Sequence, residues 1–348
     1  MQTALAATLY GAKDLRVEER PLAPLAPGAV RLRFGAGGIC GSDIHYFQHG
    51  RTGNYVVTEP LVLGHEIAGE VVDIAGAAPG LQVGDRVAVN PSRWCGVCAY
   101  CRAGRENLCE NIFFMGSASK TPHMQGGFAS FIDVAATQCV KVPQHVPFAA
   151  AALAEPLAVA LHAAARGGDL RGRRVAVFGG GPIGLLVMLA AKLAGAGSVT
   201  VVDLAAAPLA MAARLGADKV VDISGGEADL QAAAAGDGYE VVFEATGAVA
   251  GLASALAAVQ RGGTLVQVGN LPGGSIAVPA SVVTAKELSV HGTFRFGREY
   301  AQAVDLIATG QVDVLRLVTA RMRLAEAPAA LALAQDRSTS IKVVLTGD

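Results

Sequence analysis

The sequence predicts an α/β protein with two domains, one rich in β-strands and one built on a doubly wound parallel sheet. Of its 348 residues, 52% are apolar and 16% are charged, which is enough apolar material for two cores. Up to about residue 150, Gly, Pro and Asp turns separate short apolar runs such as Val30–Phe34, Ile67–Ile74 and Arg86–Val89. From about Leu157, apolar strands alternate with Ala- and Leu-rich helical stretches, a pattern that indicates a parallel sheet with helices on both faces.

The second half of the chain is predicted to alternate strands and helices. The expected strands are Arg174–Phe178, Ser198–Val202, Lys219–Val221, Glu240–Phe243, Thr264–Val268 and Leu288–Val290. The expected helices are Ile183–Leu193, Pro208–Leu215 and Ala248–Val259. The charge-free run Val175–Ala191 is short for a membrane span and contains a Gly-Gly-Gly-Pro break, so we interpret it as a buried strand followed by a buried helix.

The C-terminal segment carries a different pattern. After Gly292 we expect helices at Glu299–Thr309 and Ala325–Ala334 and a last strand at Lys342–Leu345. We therefore predict that residues 1–155 and 293–348 form the first domain and residues 156–292 the second.

Charge and the N-terminal sequence restrict the possible partners and location. The formal net charge is −1 and no block of Lys and Arg stands out, so neither nucleic acid nor a membrane surface is an expected partner. Residues 1–20 contain charged side chains and lack a signal-peptide layout. We expect a cytoplasmic protein with reduced cysteines.

Four of the six cysteines lie close together, as Cys95, Cys98, Cys101 and Cys109. Four thiolates at this spacing can surround one tetrahedral zinc ion. Two disulfides would suit a small secreted domain short of core, and the common iron–sulfur spacings differ from this one. We predict a structural zinc lobe with no ligand position open to substrate. The sixth cysteine, Cys139, is expected in the core.

A dinucleotide-binding turn is predicted between a strand and a helix. The expected strand Arg174–Phe178 leads into Gly179-x-Gly181-x-x-Gly184, with Pro182 and Ile183 inside the motif. Gly179 allows the tight turn, Gly181 lets a pyrophosphate approach the backbone, and Gly184 allows close packing of helix on strand. The helix N-terminus supplies free N–H groups and a positive dipole for the phosphates.

Asp203 is the residue expected to select the dinucleotide. It ends the next strand, and a carboxylate there can bind both ribose hydroxyls of NAD and repel the extra phosphate of NADP. The following residues, Leu204 to Pro208, include no basic side chain that would hold that phosphate. The sequence therefore favours NAD over NADP.

A second group of metal ligands is spread along the chain. Cys40, His65 and Glu66 offer a thiolate, an imidazole and a carboxylate, and Glu155 offers a further carboxylate. Three protein ligands and an open fourth position are typical of a catalytic zinc site.

Taken together, these motifs resemble the zinc-dependent medium-chain dehydrogenase/reductase family over essentially the whole chain. The resemblance implies a GroES-like β-rich catalytic domain joined to a Rossmann-type NAD-binding domain. Residues Cys40–Tyr46, His49-Gly50 and Glu155–Val159 are similar to the polyol branch of that family. Segments that resemble the members acting on sugar acids are Asn90–Ser92, Phe114–Ala118, Gln125–Phe128 and Thr293–Phe296.

The resemblance also implies roles for individual residues. Cys40, His65 and Glu66 would hold the catalytic zinc, and Glu155 would either ligate the ion or hold its water. Ser42 would receive the proton of the alcohol, and His45 would pass it toward solvent. The residues implied in substrate contacts are Tyr46, Glu155, Arg295 and Phe296. The residues implied in cofactor contacts are Ile183, Asp203, Val268, Gly269, Asn270 and Phe294.

Two residues depart from the family pattern. Pro208 stands where polyol dehydrogenases often carry an arginine near the adenosine ribose, which weakens the case for NADP. Trp94 precedes the first lobe cysteine where a proline is common, which should change the shape of the loop and leave ligation intact.

The expected reaction is oxidation of a secondary alcohol of a sugar acid or polyol, with two zinc ions per chain and NAD as hydride acceptor. Zinc would lower the pKa of the alcohol. Sorbitol, xylitol and L-threonine are alternative substrates, and a metal-depleted NAD(P)-binding relative is the non-enzyme alternative. A short-chain dehydrogenase is disfavoured, because the sequence contains no Tyr-x-x-x-Lys pair. We expect a homo-oligomer, either a tetramer or a dimer.

Overall fold

The computed structural model describes residues 3–226 and 236–347, which form two compact units. One unit comprises Met1–Glu155, Tyr300–Asp336 and Lys342–Asp348, and the other Pro156–Glu299 and Arg337–Ile341. Residues 293–299 and 337–341 thus differ from the predicted division, because they lie in the second unit. Hydrogen bonds hold the first of these segments there: Thr293 N donates to Gln267 O (3.2 Å), and the Glu299 carboxylate pairs with Nδ1 of His162 (2.8 Å).

Short strands predominate in the first half of the chain, and helices alternate with strands in the second. The strands are β1 (Thr3–Gly11), β2 (Asp14–Pro21), β3 (Ala29–Gly38), β4 (Arg51–Thr52), β5 (Tyr55–Val56), β6 (Leu61–Val62), β7 (Glu66–Ile74), β8 (Arg86–Val89), β9 (Ser92–Arg93), β10 (Phe113–Phe114), β11 (Phe131–Ala135), β12 (Cys139–Lys141), β13 (Arg174–Phe178), β14 (Ser198–Asp203), β15 (Lys219–Asp222), β16 (Tyr239–Glu244), β17 (Val259–Gln267), β18 (Ser289–Gly292), β19 (Val318–Arg323) and β20 (Lys342–Thr346). The α-helices are Gly41–His49, Ala99–Arg102, Phe148–Ala152, Ala154–Arg166, Pro182–Leu193, Ala206–Arg214, Val249–Ala258, Ala280–Ala285, Glu299–Ala308 and Ala327–Gln335. Short 3₁₀ turns occupy Glu106–Leu108, Ala136–Gln138, Val314–Leu317 and Leu324–Glu326.

The first unit is built on a seven-stranded sheet in the order β12-β8-β7-β3-β20-β19, with β11 also paired to β3. Its core includes large buried side chains such as Leu32, Ile67 and Phe128. The final strand, β20, runs antiparallel to β3, with Val344 opposite Gly38. On its other side β3 pairs with β7, with Gly38 opposite Glu66. Two distant parts of the chain therefore meet at one end of β3.

The second unit contains the predicted parallel sheet. Its six strands follow the order β15-β14-β13-β16-β17-β18, and every neighbouring pair is parallel. Numbered from the first strand of the unit, this is the order 3-2-1-4-5-6 of a dinucleotide-binding fold, in which ligands bind at the carboxyl ends of the strands where the order reverses. The predicted fold class is confirmed.

Two apolar stretches resemble membrane spans by composition. The run Val175–Ala191 contains β13 followed by the helix Pro182–Leu193, as predicted. In the part of the chain that the structure describes, the helical segment Phe148–Arg166 is long and apolar enough to cross a membrane. Its apolar window is 72% buried inside the protein, as in the core helices of globular proteins, so it is weak evidence for a span.

Candidate functional site

The turn after β3 and the start of β7 bring Cys40, His65 and Glu66 together. Cys40 precedes the helix Gly41–His49, and His65 and Glu66 lie where β7 begins. One ligand atom from each of the three lies within 4.8 Å of the others. His65 and Glu66 are buried, whereas Cys40 is partly exposed. A thiolate, an imidazole and a carboxylate at this separation can bind one zinc ion and leave a coordination position open.

Asp43 is a part of this site to which the sequence analysis assigned no role. Its side chain is completely buried, and its Oδ2 accepts a hydrogen bond from Cys40 N (2.9 Å). Its Oδ1 accepts one from Gly64 N (3.2 Å) and lies 3.8 Å from Nδ1 of His65. Asp43 therefore holds the two ligand-bearing turns together and faces one nitrogen of the histidine. The signal for it was present in the sequence, since an Asp at the third residue of a helix caps the preceding turn.

The donor set has a strongly negative potential. Burial by itself would lower the pKa of His65, but Cys40, Asp43 and Glu155 raise it, and the pKa reaches about 10. A pocket that stabilises an imidazolium to this degree is suited to a cation. The charge of the site, and not only its choice of ligands, thus fits a zinc ion.

Lys342 is a second residue that the sequence analysis did not connect with the site. Its Nζ lies 2.6 Å from Oε1 of Glu66 and donates to Ile39 O at 2.8 Å. Oε2 of Glu66 is buried and has no hydrogen-bond partner in the described chain. Lys342 was predicted only as the first residue of the last strand. The available signal was a lone charge at the start of the apolar run Lys342-Val-Val-Leu345.

Glu155 affects the donor set electrostatically but is not one of the three clustered ligand residues. It is buried in the first turn of the helix Ala154–Arg166. Its charge raises the pKa of both His65 and Lys342. Among the described residues, the clustered ligands are Cys40, His65 and Glu66, without Glu155. Whether Glu155 would ligate the ion or hold its water stays a prediction.

The helix Gly41–His49 carries the three other side chains predicted around this site. Ser42 is half-buried and His45 is exposed, with its ring centroid 6.0 Å from that of His49. Tyr46 is buried, and its hydroxyl accepts a hydrogen bond from Ala118 N (3.0 Å). Burial raises the pKa of Tyr46. The order from Ser42 to the exposed His45 is compatible with the predicted proton path.

The four lobe cysteines also cluster. The sulfur atoms of Cys95, Cys98, Cys101 and Cys109 lie within 4.8 Å of one another, and those of Cys95 and Cys101 are 4.0 Å apart. Four sulfurs at about 2.3 Å from one zinc ion would be separated by about 3.8 Å. The backbone N–H groups of Cys98 and Cys101 donate to the preceding lobe sulfurs. Several hydrogen bonds, that from Cys101 N first, together lower the pKa of Cys98 to about 6.

None of the six cysteines is paired in a disulfide in the described chain. The four lobe cysteines form a group that could hold a metal ion. Cys139 lies outside both clusters and is partly buried, and burial raises its pKa to about 12.

In the second unit, the glycine turn has room for a ligand. At Gly179 φ is +101°, and a Cβ at Gly184 would collide with Gly179 O, so the backbone itself requires both glycines. A Cβ at Gly181 would meet no protein atom within 4 Å. The space beside Gly181 is thus open, as expected where a pyrophosphate approaches the backbone. Pro182 and Ile183 begin the helix that follows.

Asp203, the last residue of β14, is hydrogen-bonded to the glycine turn. Its Oδ2 accepts a hydrogen bond from Gly180 N (2.6 Å), and its Oδ1 accepts bonds from Leu204 N and Ala205 N at 2.7 and 2.9 Å. The carboxylate therefore lies at the carboxyl end of β14 beside the glycine turn, where the ribose of a bound dinucleotide is expected.

A buried carboxylate organises the predicted cofactor loop Val268–Asn270. Glu244 is fully buried at the end of β16, and its backbone carbonyl accepts from Val268 N and Gly269 N, both at 2.8 Å. Its side chain accepts from Thr246 N (2.7 Å) and Gln267 Nε2 (2.5 Å). The sequence analysis missed Glu244. An acidic residue directly after the apolar run Val241–Phe243 was the local signal.

The remaining predicted contacts lie in one segment of the second unit. Phe294 is exposed, Phe296 is buried, and the Arg295 guanidinium lies 4.8 Å from the centre of the Phe294 ring. The backbone of Arg295 is in the left-handed region, with φ at +52°. Non-glycine residues adopt this conformation infrequently, and it recurs at binding sites. The roles of these three residues stay predictions.

Comparisons with known proteins agree with both units. Residues 26–144 match the family model of the alcohol dehydrogenase GroES-like domain, and residues 182–309 match that of the zinc-binding dehydrogenases. The chain is 35% identical to sorbitol dehydrogenase of Bacillus subtilis over 347 residues, covering 99% of this chain and 97% of that protein. It is 39% identical to L-idonate 5-dehydrogenase (NAD(P)(+)) of Escherichia coli over 310 residues, covering 89% of each.

A solved structure leads to the same conclusion. The crystal structure of L-idonate 5-dehydrogenase from Escherichia coli superposes with a TM-score of 0.93 at 36% identity, covering 99% of this chain and 98% of that one. The predicted resemblance is thereby confirmed. The chain belongs to the zinc-dependent medium-chain dehydrogenase/reductase family, alongside sorbitol and L-idonate dehydrogenases, and is an oxidoreductase that acts on CH–OH donors.

Proposed function

We propose that this enzyme oxidises the secondary alcohol of a sugar acid, with L-idonate as substrate and 5-keto-D-gluconate as product. The observation that carries the chemistry is the buried, negatively charged donor set of Cys40, His65 and Glu66. The preference for a sugar acid rests on Arg295, because a guanidinium can bind a carboxylate through two parallel hydrogen bonds. The sequence segments that resemble L-idonate 5-dehydrogenase support the same substrate.

Cys40, His65 and Glu66 would hold a catalytic zinc ion, and the four lobe cysteines a structural one. When bound, zinc supplies a Lewis acid that lowers the pKa of the alcohol, and NAD accepts the hydride. Glu155, whose charge raises the pKa of His65, would either ligate the ion or hold its water. Ser42 would take up the proton of the alcohol, and His45, which is exposed, would release it to solvent.

We propose NAD as the preferred dinucleotide. Asp203 would bind the ribose hydroxyls, and its charge would disfavour the additional phosphate of NADP. The carboxylate already has three backbone N–H partners, which hold it at the end of β14. The further cofactor contacts would be Gly179 to Gly184, Val268 to Asn270 and Phe294.

The second candidate is a polyol dehydrogenase acting on sorbitol or xylitol. The match to sorbitol dehydrogenase over 97% of that protein favours it. L-Threonine is a third substrate to include. A screen of NAD reduction with L-idonate, D-gluconate, sorbitol, xylitol and L-threonine tests these alternatives. Highest kcat/KM with L-idonate is the expected result, whereas preference for sorbitol would replace the proposal with the second candidate.

Metal analysis and hydrodynamics test the rest of the proposal. We expect two zinc ions per chain and a homo-oligomer, a tetramer or a dimer, in the cytoplasm. One zinc ion per chain would instead indicate that only the lobe is occupied. Analytical ultracentrifugation of the zinc-loaded protein measures the oligomeric state.

A further inference from the structure

A hydrogen-bonded pair of side chains, His162 and Glu299, lies in the second unit and takes no part in the proposed chemistry. Nδ1 of His162 is 2.8 Å from Oε1 of Glu299, and the two side chains are 17% and 21% exposed. An ionised carboxylate only accepts hydrogen bonds, so Nδ1 carries the hydrogen and donates it. A hydrogen bond to a charged acceptor that is largely shielded from water is among the stronger ones in proteins.

Glu299 also binds the turn that precedes it. Its Oε2 accepts a hydrogen bond from Gly297 N (2.7 Å). Burial would raise the pKa of Glu299, but the hydrogen bonds from His162 and from the backbone N–H groups of Glu299 and Gly297 lower it below its usual value. The side chain is therefore ionised at neutral pH. Its two oxygens join the helix Ala154–Arg166, which carries His162, to the turn at Gly297.

This turn contains Arg295, whose backbone is in the left-handed region with φ at +52°. A residue other than glycine stays in such a conformation only where its surroundings fix it. Thr293 N, two residues before the arginine, donates to Gln267 O (3.2 Å). Gly297 N, two residues after it, donates to Glu299. Fixed points therefore lie on both sides of the strained residue.

The helix that carries His162 also holds the strand β18, which precedes this segment. Nδ1 of His291 donates to Arg166 O (2.8 Å), and Nε of Arg166 donates to Gly292 O (3.0 Å). These two contacts come before Arg295 in the chain, whereas the contact of His162 is made after it. Loss of the His162 contact should therefore release the turn and leave the strand in place.

We propose that His162 and Glu299 are positioning residues that fix the turn from Arg295 to Gly297, and so hold the Arg295 guanidinium where it can bind the carboxylate of a substrate. The pair thereby sets the preference for a sugar acid over a neutral polyol. This inference rests on the function proposed above, in which Arg295 binds that carboxylate.

Two replacements of His162 separate this role from simple structural support. His162→Ala removes the donor, whereas His162→Asn places an amide donor close to the position of Nδ1. In His162→Ala the KM for L-idonate should rise about tenfold, as for the loss of a hydrogen bond to a charged group, while kcat changes little. The KM for sorbitol, which has no carboxylate, should stay near that of the wild type. His162→Asn should recover most of the loss.

A double variant tests whether the pair acts through Arg295. Arg295→Lys/His162→Ala should lose no more kcat/KM with L-idonate than Arg295→Lys alone, because the contact that His162 positions has already gone. His291→Ala is the matched control, since it removes another histidine contact with the same helix. The control should leave the ratio of kcat/KM between L-idonate and sorbitol unchanged.

Glu299→Gln provides a second measurement, which decides if His162→Ala does not fold. The amide keeps the shape of the side chain and removes its charge, so the hydrogen bonds from His162 and Gly297 are weakened without a cavity. The KM for L-idonate should again rise, and the KM for sorbitol should be spared.

Steady-state kinetics with both substrates are the readout, and Tm checks that each variant is folded. A selective rise in the KM for L-idonate, recovery in His162→Asn and no additional loss in the double variant support the inference. Equal effects on the two substrates, an Asn variant no better than the Ala variant, additive losses in the double variant, or the same change of ratio in His291→Ala would each overturn it. A wild-type enzyme that prefers sorbitol would overturn the proposed function, and the inference with it.

Discussion

Oδ1 of Asp43 lies 3.8 Å from Nδ1 of His65, and both side chains are almost completely buried. Asp43 also accepts hydrogen bonds from Cys40 N and Gly64 N, so a single carboxylate contacts both turns that carry the metal ligands. Residues that orient a histidine ligand in this way help to set its affinity for metal.

Asp43→Asn should weaken zinc binding at the catalytic site, because the amide removes the negative charge that faces His65. We expect a loss of affinity or activity of about ten- to hundredfold. Zinc release to a chromogenic chelator measures it. The control is Asp85→Asn, since Asp85 is also buried and accepts a backbone hydrogen bond, from Gln82 N. Equal zinc release from both variants would contradict an orienting role.

Cys40→Ser and His65→Ala should each abolish turnover and reduce the zinc content from two ions to one. Both ligands lie outside the lobe, so the fold and the lobe ion should persist. Elemental analysis, circular dichroism and alcohol-dependent NAD reduction provide the three readouts. His145→Ala, at an exposed position outside the donor set, serves as the control. Activity like that of the wild type in either ligand variant would refute the catalytic assignment.

Cys98→Ser should destabilise the protein and reduce assembly, because a structural zinc site contributes folding free energy through its metal. Thermal unfolding and size-exclusion chromatography check this. Cys139→Ser is the comparison, since Cys139 lies in neither cluster. If the Cys98→Ser protein were as stable and as fully assembled as the Cys139→Ser protein, the lobe would be dispensable.

Asp203→Ala should raise the KM for NAD and narrow the difference in kcat/KM between NAD and NADP. The reason is that both the ribose hydrogen bonds and the charge repulsion are lost. Steady-state kinetics with each dinucleotide measure the effect. Asp222, which lies opposite Asp203 in the pairing of β14 with β15, supplies the control Asp222→Ala. A wild-type preference for NADP would show that the interpretation of Asp203 is wrong.

Arg295→Lys should impair oxidation of L-idonate much more than oxidation of sorbitol, because lysine cannot form two parallel hydrogen bonds to a carboxylate. Loss of such a contact corresponds to about 1.5–3 kcal/mol, or about one to two decades in kcat/KM. Arg298→Lys, at an exposed position three residues away, is the control. Equal losses of kcat/KM with L-idonate and with sorbitol would mean that Arg295 positions hydroxyl groups. That result would favour the polyol candidate.

The sequence predicted most of the second unit closely. The strand Arg174–Phe178 and the helix that follows it lie where expected, because a continuous apolar run, a glycine turn and a helix-forming stretch are local signals. The ends of the other strands in this unit differ from the predicted ends by a few residues. The helices Gly41–His49 and Ala154–Arg166 were not predicted as such, since ligand motifs and alanine runs obscured their periodicity.

Local spacing determined the cysteine lobe and the glycine turn, because the residues of each are close neighbours along the chain, whereas the family followed from motifs spread over the whole chain. Tertiary structure brought a ligand atom of Glu66 within 4.8 Å of those of Cys40 and His65, and so formed a group that could hold a metal ion. It also placed Lys342 against Glu66, 276 residues away. That contact depends on the register of β20 and β7 on either side of β3, and no local pattern specifies the register between strands so far apart in the sequence.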